Sequence, residues 1–338
     1  MKDLFDKAYG CLAGVAIGDA MGMPTSFYTP NQIKQKFGFV DRFLDAPEDH
    51  PIHSGLVAYQ VTDDTQLTIV IANVIIDNGK VTAESVAKHI LDWALSMKVL
   101  ESDLIGPSTK KALKNIMAGV SPKYSGKLGT TNGAAMRISP VAIFNANDEK
   151  SLIEDVEKAC LPTHGTNVAI SAASAVAFAI AEGLSAKNNN IAIDSIVEAA
   201  IKGAKAGAKK GFEYPAASVY KRIELALELI GKAKNCFDAA IKLYDYIGAG
   251  FESNEAIPTA IGIFVAAKGD PMTAIKCAVN IGGDADTIAS IVGGISGAFK
   301  GVKAFKKIDI ENIKKVNRIN IESIIEKILK KRNEKLKV

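Results

Sequence analysis

The chain has 338 residues, is 48% hydrophobic and 23% charged, and carries a formal net charge of +4, which gives ample length for a large core in one or two domains. Its four cysteines, Cys11, Cys160, Cys236 and Cys277, stand far apart with no paired spacing, which argues against a zinc ribbon and against a disulfide framework. The charge is uneven: residues 301–338 hold twelve Lys and Arg against five Asp and Glu, so the rest of the chain is slightly acidic.

The first residues, Met1-Lys2-Asp3-Leu4-Phe5-Asp6-Lys7, mix both charges and lack the form of a signal peptide. Leu4, Phe5, Ala8, Leu12, Val15 and Ala16 share one helical stripe, and Gly18-Asp19-Ala20-Met21-Gly22-Met23-Pro24 is expected to end that helix and open a loop. Residues 38–60, with Pro47, Pro51, His50 and His53, read as an irregular excursion. Helical patterns follow at 65–77, 82–97, 107–118, 151–160, 165–184, 191–209, 216–233, 236–247, 254–267, 271–279 and 286–300. No period-two alternation is sustained enough for a strand. The expected architecture is therefore all-α, a multi-helix bundle whose central helices are apolar all round. Residues 165–181 are mostly Ala, Ser and Val, which makes them too short and too weakly hydrophobic for a membrane span. In the basic segment 302–338, Ile310, Ile313, Val316, Ile321, Ile324, Ile325 and Ile328 recur near helical spacing. Its lysines then form the wet face of a docked amphipathic helix rather than a nucleic-acid surface. With scattered prolines and no linker, the expectation is one continuous domain over 1–338. It would be soluble, cytoplasmic and monomeric, with no membrane or nucleic-acid partner.

Two stretches more than two hundred residues apart share a form. Asp64-Thr65-Gln66-Leu67-Thr68-Ile69-Val70 and Asp286-Thr287-Ile288-Ala289-Ser290-Ile291-Val292 both read Asp-Thr, two residues, a hydroxyl and Ile-Val, and each opens an apolar helix just after a further acid, Asp63 or Asp284. Carboxylates crowded together repel unless water or a cation neutralises them, and a helix N-terminus relieves part of that repulsion. Either stretch alone also fits an ordinary N-cap. Two of the same form point to a shared site for a hard cation. Between them lies a glycine-rich loop, Gly126-Lys127-Leu128-Gly129-Thr130-Thr131-Asn132-Gly133-Ala134-Ala135-Met136-Arg137, whose backbone could cradle a phosphate or form a plain turn. Pro162-Thr163-His164-Gly165-Thr166 places His164 at an expected helix start, as a ligand contact or a packed cap.

Five segments taken in order, Gly18-Asp19-Ala20-Met21-Gly22, Thr62-Asp63-Asp64-Thr65, Asn132-Gly133-Ala134-Ala135-Met136-Arg137, Thr163-His164 and Gly282-Gly283-Asp284-Ala285-Asp286-Thr287, resemble the ADP-ribosylglycohydrolase family, with dinitrogenase reductase activating glycohydrolase among its members. The resemblance implies an all-α orthogonal bundle with a binuclear metal centre set among loops and helix N-termini. It implies two divalent ions, Mg2+ or Mn2+, held by Thr62, Asp63 and Asp64 on one side and Asp284, Asp286 and Thr287 on the other. Oxygen donors without Cys or His suit such ions better than zinc. The implied substrate is an ADP-ribosyl group on a protein side chain or small molecule, cleaved at its glycosidic bond. Thr131, Asn132, Gly133, Met136 and Arg137 would line it, with His164 nearby; Arg137 either contacts the ligand or braces the loop.

One departure bears on activity. Where many relatives read Gly-x-Pro-x-Glu-Phe, this chain reads Gly22-Met23-Pro24-Thr25-Ser26-Phe27, so Ser26 stands at the glutamate position. Serine does no general acid or base work near neutral pH. Asp19, Asp63 or Asp286 would have to take that role, or the protein would be an ADP-ribose binder or structural relative with weak turnover. Prenyl diphosphate chemistry, a third reading, calls for Asp-Asp-x-x-Asp, and Asp63-Asp64-Thr65-Gln66-Leu67 lacks the last acid.

Overall fold

A computed structural model describes residues 2–102, 104–185 and 192–337. Among these, the regular structure is helical, with two isolated bridges, Thr131 with Glu252 and Thr166 with Phe212, and no strand. In chain order the helices are α1 Lys2–Gly22, α2 Pro30–Phe37, α3 Asp63–Asn78, α4 Ala83–Ser96, α5 Pro107–Met117, α6 Pro122–Ser125, α7 Ser139–Phe144, α8 Glu149–His164 and α9 Asn167–Ser185. They continue as α10 Ile193–Gly207, α11 Val219–Ile230, α12 Cys236–Tyr246, α13 Ser253–Ala266, α14 Pro271–Val279, α15 Ala285–Lys300, α16 Lys307–Asn317 and α17 Ile321–Lys335. The patterns read between 65 and 300 correspond to α3, α4, α5 and α8 to α15, apart from residue 191, which lies outside the described residues. Three short helices were not expected, α2, α6 and α7. Each carries a proline in its first turn, where the missing N–H removes no helical bond.

Several caps are written in the sequence. Thr82 and Ser85 exchange side-chain bonds with each other's backbone to start α4, Asp270 accepts from Thr273 N ahead of Pro271 to start α14, and Gly79 closes α3 at φ 65°. The core is built on α1, α9, α13 and α15, which bury residues around most of their circumference.

Four expectations are corrected. The first helix does not stop at residue 17 but runs through Gly22, because Gly10, Gly14, Gly18 and Gly22, four residues apart, face α15. A Cβ at Gly18 would stand 2.0 Å from the Ala289 carbonyl oxygen, so these glycines serve close backbone packing rather than a break. α8 continues past residue 160 through Pro162, which leaves His164 as the last residue of a helix, not the first. The basic C-terminal segment is two helices, separated at Arg318 in a left-handed conformation (φ 57°); their buried faces carry Ile310, Ile313, Ile321, Ile325 and Ile328, whereas Val316 is exposed. Finally, α9 is long and apolar enough to cross a membrane, yet its residues are packed inside the fold against α7, α8, α10 and α15.

Candidate active site

The α1–α15 contact brings the N-terminus of α15 beside the end of α1, and α3 begins in the same place. Asp19, on the buried face of α1, accepts from Thr62 N at 3.0 Å, Thr62 Oγ1 at 2.8 Å, Thr65 N at 3.0 Å and Thr65 Oγ1 at 2.5 Å. Its carboxylate thus satisfies the first N–H groups of α3 and fixes the Asp63-Asp64 corner. Thr287 Oγ1 on α15 meets Asp64 Oδ2 at 3.2 Å, which ties the two helix starts together. The turn before α15 requires its second glycine: Gly283 has φ 65°, and a Cβ there would stand 2.2 Å from the Ala249 carbonyl oxygen. On either side of it, Gly283 N donates to Tyr28 O and Asp284 N to Ala249 O.

Over these helix starts lies a cavity of about 330 Å³, lined by Asp63, Asp64, Asp284, Asp286 and Thr287 at its floor. Thr131, Asn132, Gly133, Met136 and His164 form one wall. The glycine-rich loop is held there by its bridge to Glu252, by Asn132 N donating to Phe251 O at 2.8 Å, and by a hydrogen bond from the Asn132 amide to Asp284 Oδ2. Three expected residues do not reach the cavity. Thr62 lies behind Asp64, Asp19 is consumed by α3, and Arg137 is buried behind the wall with Nη2 donating to Thr163 Oγ1 at 2.6 Å.

The structure adds residues that sequence reasoning missed. His53, from the irregular excursion, lines the cavity and places Nε2 3.1 Å from Asp286 Oδ2, with both side chains buried. Phe27 and Phe251 face each other at the mouth with ring centroids 5.4 Å apart, Phe27 in a left-handed conformation (φ 67°), and Lys110 stands at the rim. The pairing of His50 and His53 in a chain with four histidines was the available signal, but an aperiodic segment gives no facing. Ser26 is fully buried beneath this layer; its Oγ donates to Gly22 O and accepts from Asp286 N at 3.2 Å. The serine steadies the turn carrying Asp286 and does not line the cavity.

Crowding shows in the electrostatics. Burial, then the neighbouring carboxylates, push Asp63 up to about 7 and Asp64 and Asp284 well above the usual carboxylate range. Burial likewise lifts Asp19 to about 6. Asp286 goes the other way: burial raises it, but the hydrogen bond and charge of His53 and the bonds from Ser26 and Thr287 outweigh that, and it stays ionised. Opposed by burial, His53 is raised by the same pairing.

Among the described residues, no three His, Cys, Asp or Glu side chains converge closely enough to hold an ion in the conformation observed. The fit to a cation rests on the donor chemistry. Oxygen donors from two helix starts line one cavity floor, and Asp64 Oδ1 is buried with no hydrogen-bonding partner. A buried carboxylate oxygen without a partner among four other carboxylates suits a hard divalent cation.

Comparison with known proteins places the chain in a family. A profile of the ADP-ribosylglycohydrolase family matches residues 1–337. The uncharacterized protein YegU of Escherichia coli is 32% identical over 98% of both chains. ADP-ribosylhydrolase ARH3 of Gallus gallus is 26% identical over 86% of this chain and 84% of its own. ADP-ribosyl-[dinitrogen reductase] glycohydrolase of Rhodospirillum rubrum is 27% identical over 41% of this chain and 44% of its own. In three dimensions an ADP-ribosylglycohydrolase-related protein covers 98% of this chain and 100% of its own, with a TM-score of 0.69 at 21% identity, a likeness of fold. The chain belongs to the ADP-ribosylglycohydrolase family.

Proposed function

We propose that the protein hydrolyses the glycosidic bond between an ADP-ribosyl group and a protein side chain or small molecule, with the aid of two divalent ions, Mg2+ or Mn2+. The observation that carries this reading is the floor of buried carboxylates at two facing helix starts, beneath a cavity closed by an amide, a histidine and two aromatic rings. Asp63 and Asp64 would hold one side of the metal centre, and Asp284, Asp286 and Thr287 the other, while Thr62, bonded to Asp19 behind Asp64, braces the start of α3. When bound, such ions supply charge neutralisation and Lewis acidity at a sugar centre. The protein's own residues do the rest. Asn132 orients Asp284, and His53 orients Asp286. Asp63, the floor carboxyl that is partly open to the cavity, is placed to hold or give up a proton there. Asp19 acts behind it by fixing the start of α3. The Phe27–Phe251 pair offers an apolar face to a base, and Lys110 a positive charge to a diphosphate.

Nothing in the geometry needs a glutamate at position 26, because Ser26 faces the Asp286 turn instead of the cavity. This favours turnover over the ADP-ribose-binder reading. In this reading the chain acts as one domain over 1–338, supported by the family match along nearly its whole length, and works as a cytoplasmic monomer. The test is release of ADP-ribose from arginine-, serine- and nucleotide-linked conjugates with Mg2+ or Mn2+. We expect release from at least one, abolished by Asp286→Ala. No release from any, by folded protein with either ion, would sink the proposal.

A further inference from the structure

Behind the cavity wall lies a file of four buried side chains. Arg137 Nη2 donates to Thr163 Oγ1 at 2.6 Å, Thr163 Oγ1 meets His164 Nδ1 at 2.7 Å, and His164 Nε2 meets Thr131 Oγ1 at 3.0 Å. Thr163 and His164 have no exposed surface, Arg137 is 1% exposed and Thr131 8%. The last two members of the file, His164 and Thr131, line the cavity; the first two do not.

The direction of each hydrogen bond follows from the chemistry of the first. A guanidinium has donors only, so Thr163 Oγ1 must accept from Arg137. A hydroxyl oxygen could accept twice, but among the described residues Thr163 Oγ1 has no third partner and no exposed surface, so its own proton is satisfied only by its other partner, His164 Nδ1. That nitrogen therefore carries a lone pair, and the ring proton sits on Nε2, from which it is donated to Thr131 Oγ1. With the Thr131 oxygen accepting, its hydroxyl proton is left to point at the cavity. The imidazole is neutral, since burial and the adjacent guanidinium hold His164 well below its ordinary value. Arg137 Nε and Nη1 find no protein acceptor, so the bond to Thr163 is what fixes its head.

We propose that Arg137 is a positioning residue that never touches the ligand. Through Thr163 and His164 it sets the imidazole tautomer and turns the Thr131 hydroxyl into a donor aimed at the cavity, so that this wall offers a proton to an accepting ligand oxygen, such as that of a phosphate. The choice of ADP-ribose as probe rests on the function proposed above; the tautomer does not.

The test combines two readouts on the full chain. Nitrogen NMR of protein labelled at its four histidines, with His164 assigned by its loss in His164→Gln, reads the ring directly. Calorimetry with ADP-ribose reads the wall. We expect Nδ1 unprotonated and Nε2 protonated in the native protein. Thr163→Val should scramble the tautomer and weaken ADP-ribose binding about tenfold, the worth of one hydrogen bond, and Thr163→Ser should restore both. A proton on Nδ1 in the native protein overturns the proposal, as does a folded Thr163→Val with native affinity or a folded Thr163→Ser as weak as the valine variant. If Thr163→Val does not fold, the native tautomer decides. If native protein does not bind ADP-ribose, the proposed function fails, while the tautomer and its dependence on Thr163 still decide the relay.

Discussion

Asp63→Asn isolates what the acidic floor costs the protein without a cation. Asp63 is lifted from 3.8 to about 7, first by burial and then by Asp286 and Asp19. A carboxyl with a raised folded value keeps its proton longer in the folded state than in the unfolded one. Stability is therefore lost as pH rises from about 4 to about 7 and is level above that. At about pH 8 the loss amounts to roughly 4 kcal/mol, and near pH 5 to about 1.5 kcal/mol. An amide of the same shape does not ionise. Asp63→Asn should therefore stabilise chelator-treated protein by about 2 to 4 kcal/mol at pH 8, after allowing for relaxation around the charge, and by less than half as much near pH 5. Urea unfolding at the two pH values, with and without Mn2+, measures this. In the native protein Mn2+ should restore stability at pH 8 and release protons on binding; in the variant it should do little. A variant less stable than native protein at pH 8 in chelator, or equally stabilised by Mn2+, would refute the reasoning.

Other expectations are simpler. His53→Ala removes the partner of Asp286 and should lower divalent-ion affinity about tenfold, read by calorimetry. Gly18→Ala forces a methyl group against the Ala289 carbonyl and should cost about 3 kcal/mol or more in denaturant unfolding. Ser26→Glu places a longer acid where Oγ bridges Gly22 O and Asp286 N, with no exposed surface to take it up. It should destabilise by about 1 to 3 kcal/mol with no gain in turnover. A gain would favour the ADP-ribose-binder reading of the native protein.

The helices and the acid clusters were legible in the sequence because their signals are local. Thr62 and Asp64 mark one helix start, the Gly282-Gly283 turn another, and the structure brings the two to the floor of one cavity. What escaped depends on partners distant in sequence. The α1 glycines read locally as a break; only α15, more than 260 residues later, makes them a packing seam. Asp19 and Arg137 have the residue types of a site, yet their side chains point into the frame, toward Thr62 and Thr163, and nothing in the order of residues sets that direction. His53 lies in an aperiodic segment, and its position is fixed by Asp286, 233 residues away. The departure at Ser26 reads in sequence as a missing acid, whereas in the structure its hydroxyl supports the turn that carries Asp286.

The most direct measurement is anomalous scattering from crystals grown with Mn2+ and soaked in ADP-ribose. Two peaks are expected between residues 62–64 and 284–287, with the ribose over them and the Asn132–Met136 loop along the ligand. Crystals that bind ADP-ribose elsewhere, or show no peak among these carboxylates at saturating Mn2+, would contradict the account.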